Sequence, residues 1–154
     1  MIRITFDVVG EKQVDRAIER FSKGVQDYRP AWESIRGIFW NAEKKKFEAA
    51  DWEPLSPIYA AWKEEHYPGK PILQRTGALM ASLTGHNEGA IIEIHPLWMQ
   101  VGSALGYGRY HQKGTSRMPQ RKVIDLVEEN KRSIMKAIQR HLLNVSERAG
   151  IPAP

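Results

Sequence analysis

Residues 90–102 read AIIEIHPLWMQVG, and this stretch decides the fold class. Ala90–Ile94 is a short run rich in β-branched residues, and His95-Pro96-Leu97 is typical of a turn. Trp98–Gly102 is a second short run that fits the antiparallel return strand. Two such runs joined by a turn predict an antiparallel hairpin. The chain therefore contains β-structure, although most of its remaining periodicity is helical.

On the N-terminal side of the hairpin, the sequence predicts one strand and several helices. Alternation of apolar and polar residues over 2–8 predicts a half-buried strand, which we expect to join the hairpin in one sheet. Apolar residues then recur at helical spacing, which predicts helices over about 11–25 and 30–49. Asp27 is a candidate cap of the second helix. An aromatic, proline-rich connector follows over 51–70, with one or two helical turns around 58–65.

On the C-terminal side, we expect a long loop and then a long helix. Thr76 is a candidate cap for a short helix over 77–83, just before the hairpin. Residues 103–119 are rich in glycine and poor in apolar side chains, which predicts a functional or flexible loop. An apolar stripe from Val123 to Val145 predicts a final helix that opens at Pro119 or Gln120. Residues 150–154 form a non-helical tail.

The predicted fold class is α+β, with a single domain over residues 1–149. A small antiparallel sheet, made of the N-terminal strand and the hairpin, packs against two N-terminal helices and a long C-terminal helix. The length of 154 residues suits one ordinary domain. We expect the helices to cover one face of this sheet.

The composition excludes several classes of protein. The chain has no cysteine, so disulfides, thiolate nucleophiles and cysteine-based metal centres are excluded. No apolar run approaches the roughly 18–20 residues that span a bilayer. The first residues alternate and lack an apolar signal core. We therefore expect a soluble intracellular protein.

The net charge of +5 comes from one segment of the chain. Five basic residues and no acidic residue lie between Ile94 and Ile124, namely Arg109, Lys113, Arg117, Arg121 and Lys122. The rest of the chain is balanced. Such a segment can face nucleic acid, an anionic surface or an acidic partner protein, and it can also be an ordinary solvated loop.

No catalytic, metal or cofactor site emerges from the sequence. The histidines are His66, His86, His95, His111 and His141, and no two of them have the spacing of a helical metal pair. Adjacent carboxylates such as Glu64-Glu65 diverge by about 100° on a helix. Gly106-Tyr107-Gly108 begins like a dinucleotide fingerprint, but His111 stands where the third glycine belongs. We expect no enzyme activity and no cofactor.

Five tryptophans are many for a chain of this length. Core packing and anchoring of the connector account for most of them. Some are candidates for a protein–protein interface, where tryptophan and tyrosine are enriched.

An ordered set of motifs resembles the phage virion morphogenesis family, the tail-completion proteins of Mu-like and related tailed phages. The set spans about residues 50–125, roughly half of the chain. It comprises Trp52-Glu53-Pro54-Leu55-Ser56, Tyr59, Lys63, Ile72–Leu79, Ser82-Leu83, Val101-Gly102-Ser103, Tyr107, Tyr110-His111-Gln112, Gly114 and Pro119-x-Arg121.

The resemblance implies a structural virion protein of the neck or tail end, assembled in the host cytoplasm. Such proteins complete the tail or join it to the head, usually as a hexameric ring, and the family has no catalytic residues to carry over. The implied partners are other neck and tail proteins, such as the head-side connector and the tail tube, with no membrane. Weak, sequence-independent contact with packaged DNA is also implied.

The resemblance also implies physical roles for the motif residues. The connector residues Trp52, Pro54, Leu55 and Tyr59 would hold the connector against the sheet. Thr76 and Gly77 would start the short helix. Tyr107, Tyr110, His111 and Gly114 would shape the long loop, and Pro119 and Arg121 would return it to the last helix.

Two hypotheses give the basic segment a purpose. In a ring, Arg109, Lys113, Arg117 and Lys122 would line the lumen or meet an acidic neighbour. The alternative is a small nucleic-acid-binding module that uses residues 109–122, with Tyr107 and Tyr110 as stacking groups. It predicts binding to free DNA or RNA that weakens steeply with salt.

Overall fold

The computed structural model describes residues 10–85 and 87–151, and within them the protein is a mostly helical α+β fold. Six helices and one two-stranded sheet occupy these residues. In chain order they are α1 (Glu11–Gly24), α2 (Arg29–Ala49), α3 (Pro57–His66), α4 (Ala78–Thr84), β1 (Ala90–Ile94), β2 (Met99–Ser103), α5 (Gly108–Lys113) and α6 (Glu128–Ala149). The predicted strand over 2–8 lies outside the described residues.

Helix α2 forms where its sequence predicts a helix. Pro30 sits in the first turn, where its missing N–H costs nothing, and the Asp27 carboxylate accepts a hydrogen bond from the Arg29 N–H at 3.1 Å. Its buried side chains recur every four residues, so one face points inward along the whole helix. They are Ala31, Ile35, Phe39, Glu43 and Phe47.

Helix α6 packs along both α1 and α2. The contact with α1 is close at Gly24, where an added Cβ would lie 2.4 Å from Cγ1 of Val145. Only glycine therefore allows this approach. The ring of His141 in α6 also lies 4.9 Å from that of Tyr28, at the start of α2. These three helices form the framework of the molecule.

The hairpin is antiparallel, as the sequence predicts, with Ala90 opposite Ser103 and Ile94 opposite Met99. Both of its strands contact the short helix α4, which in turn packs on α2. The Ser82 hydroxyl of α4 lies 2.7 Å from that of Ser103 in β2. The hairpin packs against the long helices, as the sequence predicts, and α4 adds a further connection between the hairpin and this framework.

The core lies between α2, α4 and the two segments that flank the hairpin. Its buried cluster comprises Phe39, Phe47, Trp52, Leu79, Leu83 and Val123. The interior also contains one carboxyl group, that of Glu43, which is 1% exposed. Burial raises the pKa of Glu43 to about 8, Asp125 adds to the rise, and Lys46 opposes it.

Two expectations for the C-terminal half differ from the structure. The predicted loop over 103–119 contains the helix α5 and a β-bridge between Thr115 and Met118. The last helix begins at Glu128 rather than near Pro119. Val123 is buried in the core, and its N–H donates to Oε1 of Gln112 at 2.9 Å. The segment before α6 therefore forms tertiary contacts in place of the backbone hydrogen bonds of a helix.

None of the helices in the described ranges combines the length and the apolar character that crossing a membrane requires.

Candidate functional site

One groove of about 700 Å³ gathers side chains from two distant parts of the sequence. Residues 55–78 line one part of it, and residues 105–121 line the other. Twelve residues of the motif set singled out in the sequence line this cavity. They are Leu55, Ser56, Tyr59, Lys63, Leu73, Arg75, Thr76, Ala78, Tyr107, His111, Pro119 and Arg121. We call this cavity the motif groove.

Arg121 joins the two parts of the motif groove. The residue is 4% exposed, and its guanidinium donates 2.7 Å hydrogen bonds to the backbone carbonyls of Glu53 and Pro54. Its backbone N–H donates to the His111 carbonyl at 2.8 Å. One side chain thus ties the connector to the extended segment before α6. No carboxylate of the described residues forms an ion pair with it.

Trp52 fastens the same two segments from the core side. Its indole N–H donates to the Lys122 carbonyl at 2.8 Å, which satisfies the one polar atom of a nearly buried ring. The ring meets Phe47 of α2 edge-on, with centroids 5.2 Å apart. Trp52 and Arg121 therefore place the groove on a rigid base.

Lys63 is a second buried cation at the motif groove. The residue is 6% exposed, and its ammonium donates to the carbonyl of Lys70 and, at 2.8 Å, to that of Pro71. These bonds close the turn after α3. Burial lowers the pKa of Lys63, although the nearby Glu64 opposes this effect. The sequence motif included Lys63 but assigned it no role.

His111 faces the motif groove from α5. Burial lowers the pKa of its imidazole, and the positive charge of Arg121 lowers it further. The ring is therefore neutral at pH 7. Its Nδ1 is buried and has no hydrogen-bond partner among the described residues. The Tyr107 ring stands edge-on to it at 6.2 Å.

Gly114 shapes the path of the chain after α5. Its φ is +72°, and a Cβ there would lie 2.9 Å from the backbone nitrogen of Gln120. Glycine is therefore required both for the turn and for the close return of the chain. Gln112, which the motif included without a role, accepts from the N–H groups of Val123 and Ile124. The segment over 103–119 is thus held at several points.

The remaining motif residues lie around the motif groove. Gly77 begins α4 with φ +76°, and the Thr76 hydroxyl accepts from the Ala78 N–H at 3.4 Å. Pro54 contributes the carbonyl that Arg121 binds. Tyr110 is 45% exposed on α5.

The four basic residues proposed for partner contact are all exposed. Arg109 and Lys113 are four residues apart on α5, so they share one face. The Arg109 guanidinium donates to the Tyr110 hydroxyl at 2.7 Å and lies 4.7 Å from the centre of its ring. Arg117 lines the motif groove, and Lys122 follows Arg121. Within the described residues none of the four forms an ion pair.

Sequence reasoning missed two residues that line the motif groove, Leu105 and Met118, and it assigned no role to Leu73 and Arg75 of the motif set. No spacing in the sequence could have placed Met118 opposite Leu73, because the two come from different segments. The described part of the chain has no group of three histidine, aspartate or glutamate side chains that could hold a metal ion.

A family model for the phage virion morphogenesis family matches residues 9–143. No curated protein and no solved structure matches the chain. The matched range includes the motif groove and the whole basic segment.

Proposed function

Because the chain belongs to the phage virion morphogenesis family, and is therefore a structural phage virion protein, we propose that it completes the tail or joins it to the head. It would act as a subunit of a ring at the neck, with six subunits as the expected number. Other neck and tail proteins are its partners. Contact with DNA in transit is weak and independent of sequence.

The charge of the segment from Arg109 to Lys122 carries this proposal. Its four exposed cations have no ion-pair partner among the described residues. Arg109 and Lys113 are four residues apart on a helix, where like charges repel. A surface that keeps such charges without neutralising them is suited to an acidic neighbour or to DNA phosphates.

A charge-removal variant tests the proposal in the phage or prophage that encodes the chain. Arg109, Lys113, Arg117 and Lys122 are all changed to Gln. The protein should fold, since the four side chains are exposed, but heads and tails should accumulate unjoined in electron micrographs.

A matched control removes the same number of charges elsewhere. Lys44, Lys45, Arg132 and Lys136 are also exposed and also form no ion pair within the described residues. Changing them to Gln should leave joining intact. Infectious virions from the first variant, in normal yield, would refute the proposed role.

A nucleic-acid-binding module is the second candidate function, and one observation favours it. Tyr107 and Tyr110 are 44% and 45% exposed and lie beside Arg109. Exposed rings beside cations can stack on bases. This function requires the isolated protein to bind single-stranded DNA or RNA with an affinity that falls steeply as salt rises. Binding that is lost in Tyr107→Ala and Tyr110→Ala would favour it over the assembly role.

A further inference from the structure

We propose that the motif groove binds an acidic segment of a neighbouring virion protein, seating carboxylates against its cations and an apolar side chain on its floor. This inference rests on the proposed function, which supplies the neighbour. It adds the chemistry of the partner and a binding site distinct from the exposed face of α5.

The charge of the motif groove has one sign. Among the described residues, Lys63, Arg75, Arg117 and Arg121 line it, and no aspartate or glutamate does. Lys63 and Arg121 are more than nine-tenths buried, and within the described residues their side chains donate to backbone carbonyls and form no ion pair, although the charge of Glu64 acts on Lys63. Because buried charges are screened less than exposed ones, these two act strongly on an anion inside the cavity.

The floor of the motif groove is apolar. Leu55, Leu73, Leu105 and Met118 contribute to it. A cavity of about 700 Å³ has the size that holds a few side chains. A DNA duplex is wider than such a cavity and would contact only its rim, so the buried cations favour a protein segment over DNA.

Helix α3 extends this surface beyond the cavity. Tyr59 and Lys63 are four residues apart and both face the groove. Ile58 and Trp62 form the adjoining face of the same helix, and they are 87% and 38% exposed. An isoleucine this exposed, next to a tryptophan that stacks on Tyr59 with ring centroids 5.5 Å apart, suits an apolar residue at the end of a bound segment.

The test uses the full chain and two defined probes. The first probe is a set of short overlapping peptides that tile the neck and tail proteins encoded beside this chain. Each acidic peptide is made in two forms, one native and one with every Asp and Glu replaced by the amide. The second probe is random-sequence duplex DNA. Binding is measured by fluorescence anisotropy at one fixed salt concentration.

Two variants report on the groove, and neither belongs to the four cations of the joining assay. Arg75→Glu reverses a charge at the groove, and Lys70→Glu is its control, since Lys70 is exposed and does not line the cavity. Ser56→Trp fills the cavity without charge, and the Ser56 side chain forms no capping hydrogen bond. Circular dichroism verifies that each variant is folded.

The inference expects at least one acidic peptide to bind, with about tenfold weaker binding in its amide form. Arg75→Glu and Ser56→Trp should each weaken binding by a similar factor, while Lys70→Glu should not. The inference is overturned if no peptide binds, if the amide form binds equally well, or if both groove variants bind normally. DNA binding that is lost in the same two variants would also overturn it.

This assay and the joining assay fail separately. Normal joining without the four cations removes the proposed function, whatever the peptides do. If the charge-removal variant fails to join heads and tails but no peptide binds the groove, the proposed function stands and this inference alone is refuted.

Discussion

Two surfaces of the protein differ in whether their cations form ion pairs with nearby carboxylates. On the long helices, cations lie beside carboxylates three or four residues away, at 2.5–2.7 Å. These pairs are Lys23–Glu19, Arg36–Glu33 and Lys131–Glu128. On the groove side, five cations between residues 109 and 122 have no such neighbour within the described residues.

The difference shows where a partner is expected. Pairs within one helix neutralise part of the helical surface, although four exposed cations there form no ion pair within the described residues. They are Lys44, Lys45, Arg132 and Lys136. On the groove side, carbonyl oxygens hold the Arg121 and Lys63 side chains, and neither forms an ion pair within the described residues. A protein that joins others through charge requires this arrangement on only one of its faces.

The largest effect is expected from removing the ring that supports the groove side. Trp52→Ala deletes a nearly buried ring and its bond to the Lys122 carbonyl, which should lower the free energy of unfolding by about 3–5 kcal/mol. Urea denaturation measures it. Trp98→Ala is the control, because Trp98 is 47% exposed and should cost far less. Equal losses would mean that Trp52 does not support the groove.

The next effect concerns the cation that joins the two parts of the groove. Arg121→Met keeps the bulk but leaves the carbonyls of Glu53 and Pro54 without their donor, which should cost about 2–4 kcal/mol. Thermal unfolding measures this loss. Arg140→Met, on the exposed helical side, should change stability little. A neutral Arg121→Met would contradict the bridging role.

The helical side contains the main source of pH dependence. Burial raises the pKa of Glu43 from its ordinary value of 4.5 to about 8 in the folded state, so the folded state binds one more proton than the unfolded state between these values. The contribution of Glu43 to stability is full below about pH 4.5 and falls as pH rises toward 8, by up to about 1.4 kcal/mol per pH unit.

Glu43→Gln should flatten this slope, because the amide is neutral at every pH. Urea denaturation at several pH values between 5 and 8 measures it, with Glu48→Gln on the exposed part of α2 as control. An unchanged slope in Glu43→Gln would show that the carboxyl is ionised in the folded protein.

The smallest effect compares the two surfaces directly. Lys23→Gln breaks a pair with Glu19, so Tm should fall slightly, by about 1–2 °C. Lys113→Gln relieves repulsion with Arg109, so Tm should rise by a similar amount. Both shifts should fade in about 0.5 M salt. Shifts of the same sign would mean that the surfaces do not differ.

The sequence predicted most closely those elements in which the spacing of the apolar residues matches the structure that they adopt. Helix α2 has one inward face over its whole length, and the hairpin has two short β-prone runs around a turn, so both were predicted closely. The start of α6 was not, because Val123 and Leu126 also fit helical spacing. Packing on the core and the hydrogen bond from Val123 to Gln112 determine their conformation. These contacts come from residues too distant in the sequence for a helical-periodicity pattern to include.

The motif groove shows the same limit. The sequence identified twelve residues that line it, through an ordered set of motifs, but assigned them separate roles or none. It did not indicate that Leu73 and Met118 share a floor or that Lys63 is buried. Those facts depend on how the connector packs against the segment before α6. The hydrogen bonds of Trp52 and Arg121 determine that packing.

The sequence by itself determined the family, the absence of cysteine chemistry, the long helix α2, the hairpin and the local origin of the net charge. These depend on composition, short-range periodicity and ordered motifs. Only the tertiary structure decided which cations are buried, which lie exposed and which line one cavity. Burial and electrostatics depend on distances between residues far apart in the chain, and those distances exist only once the core has formed.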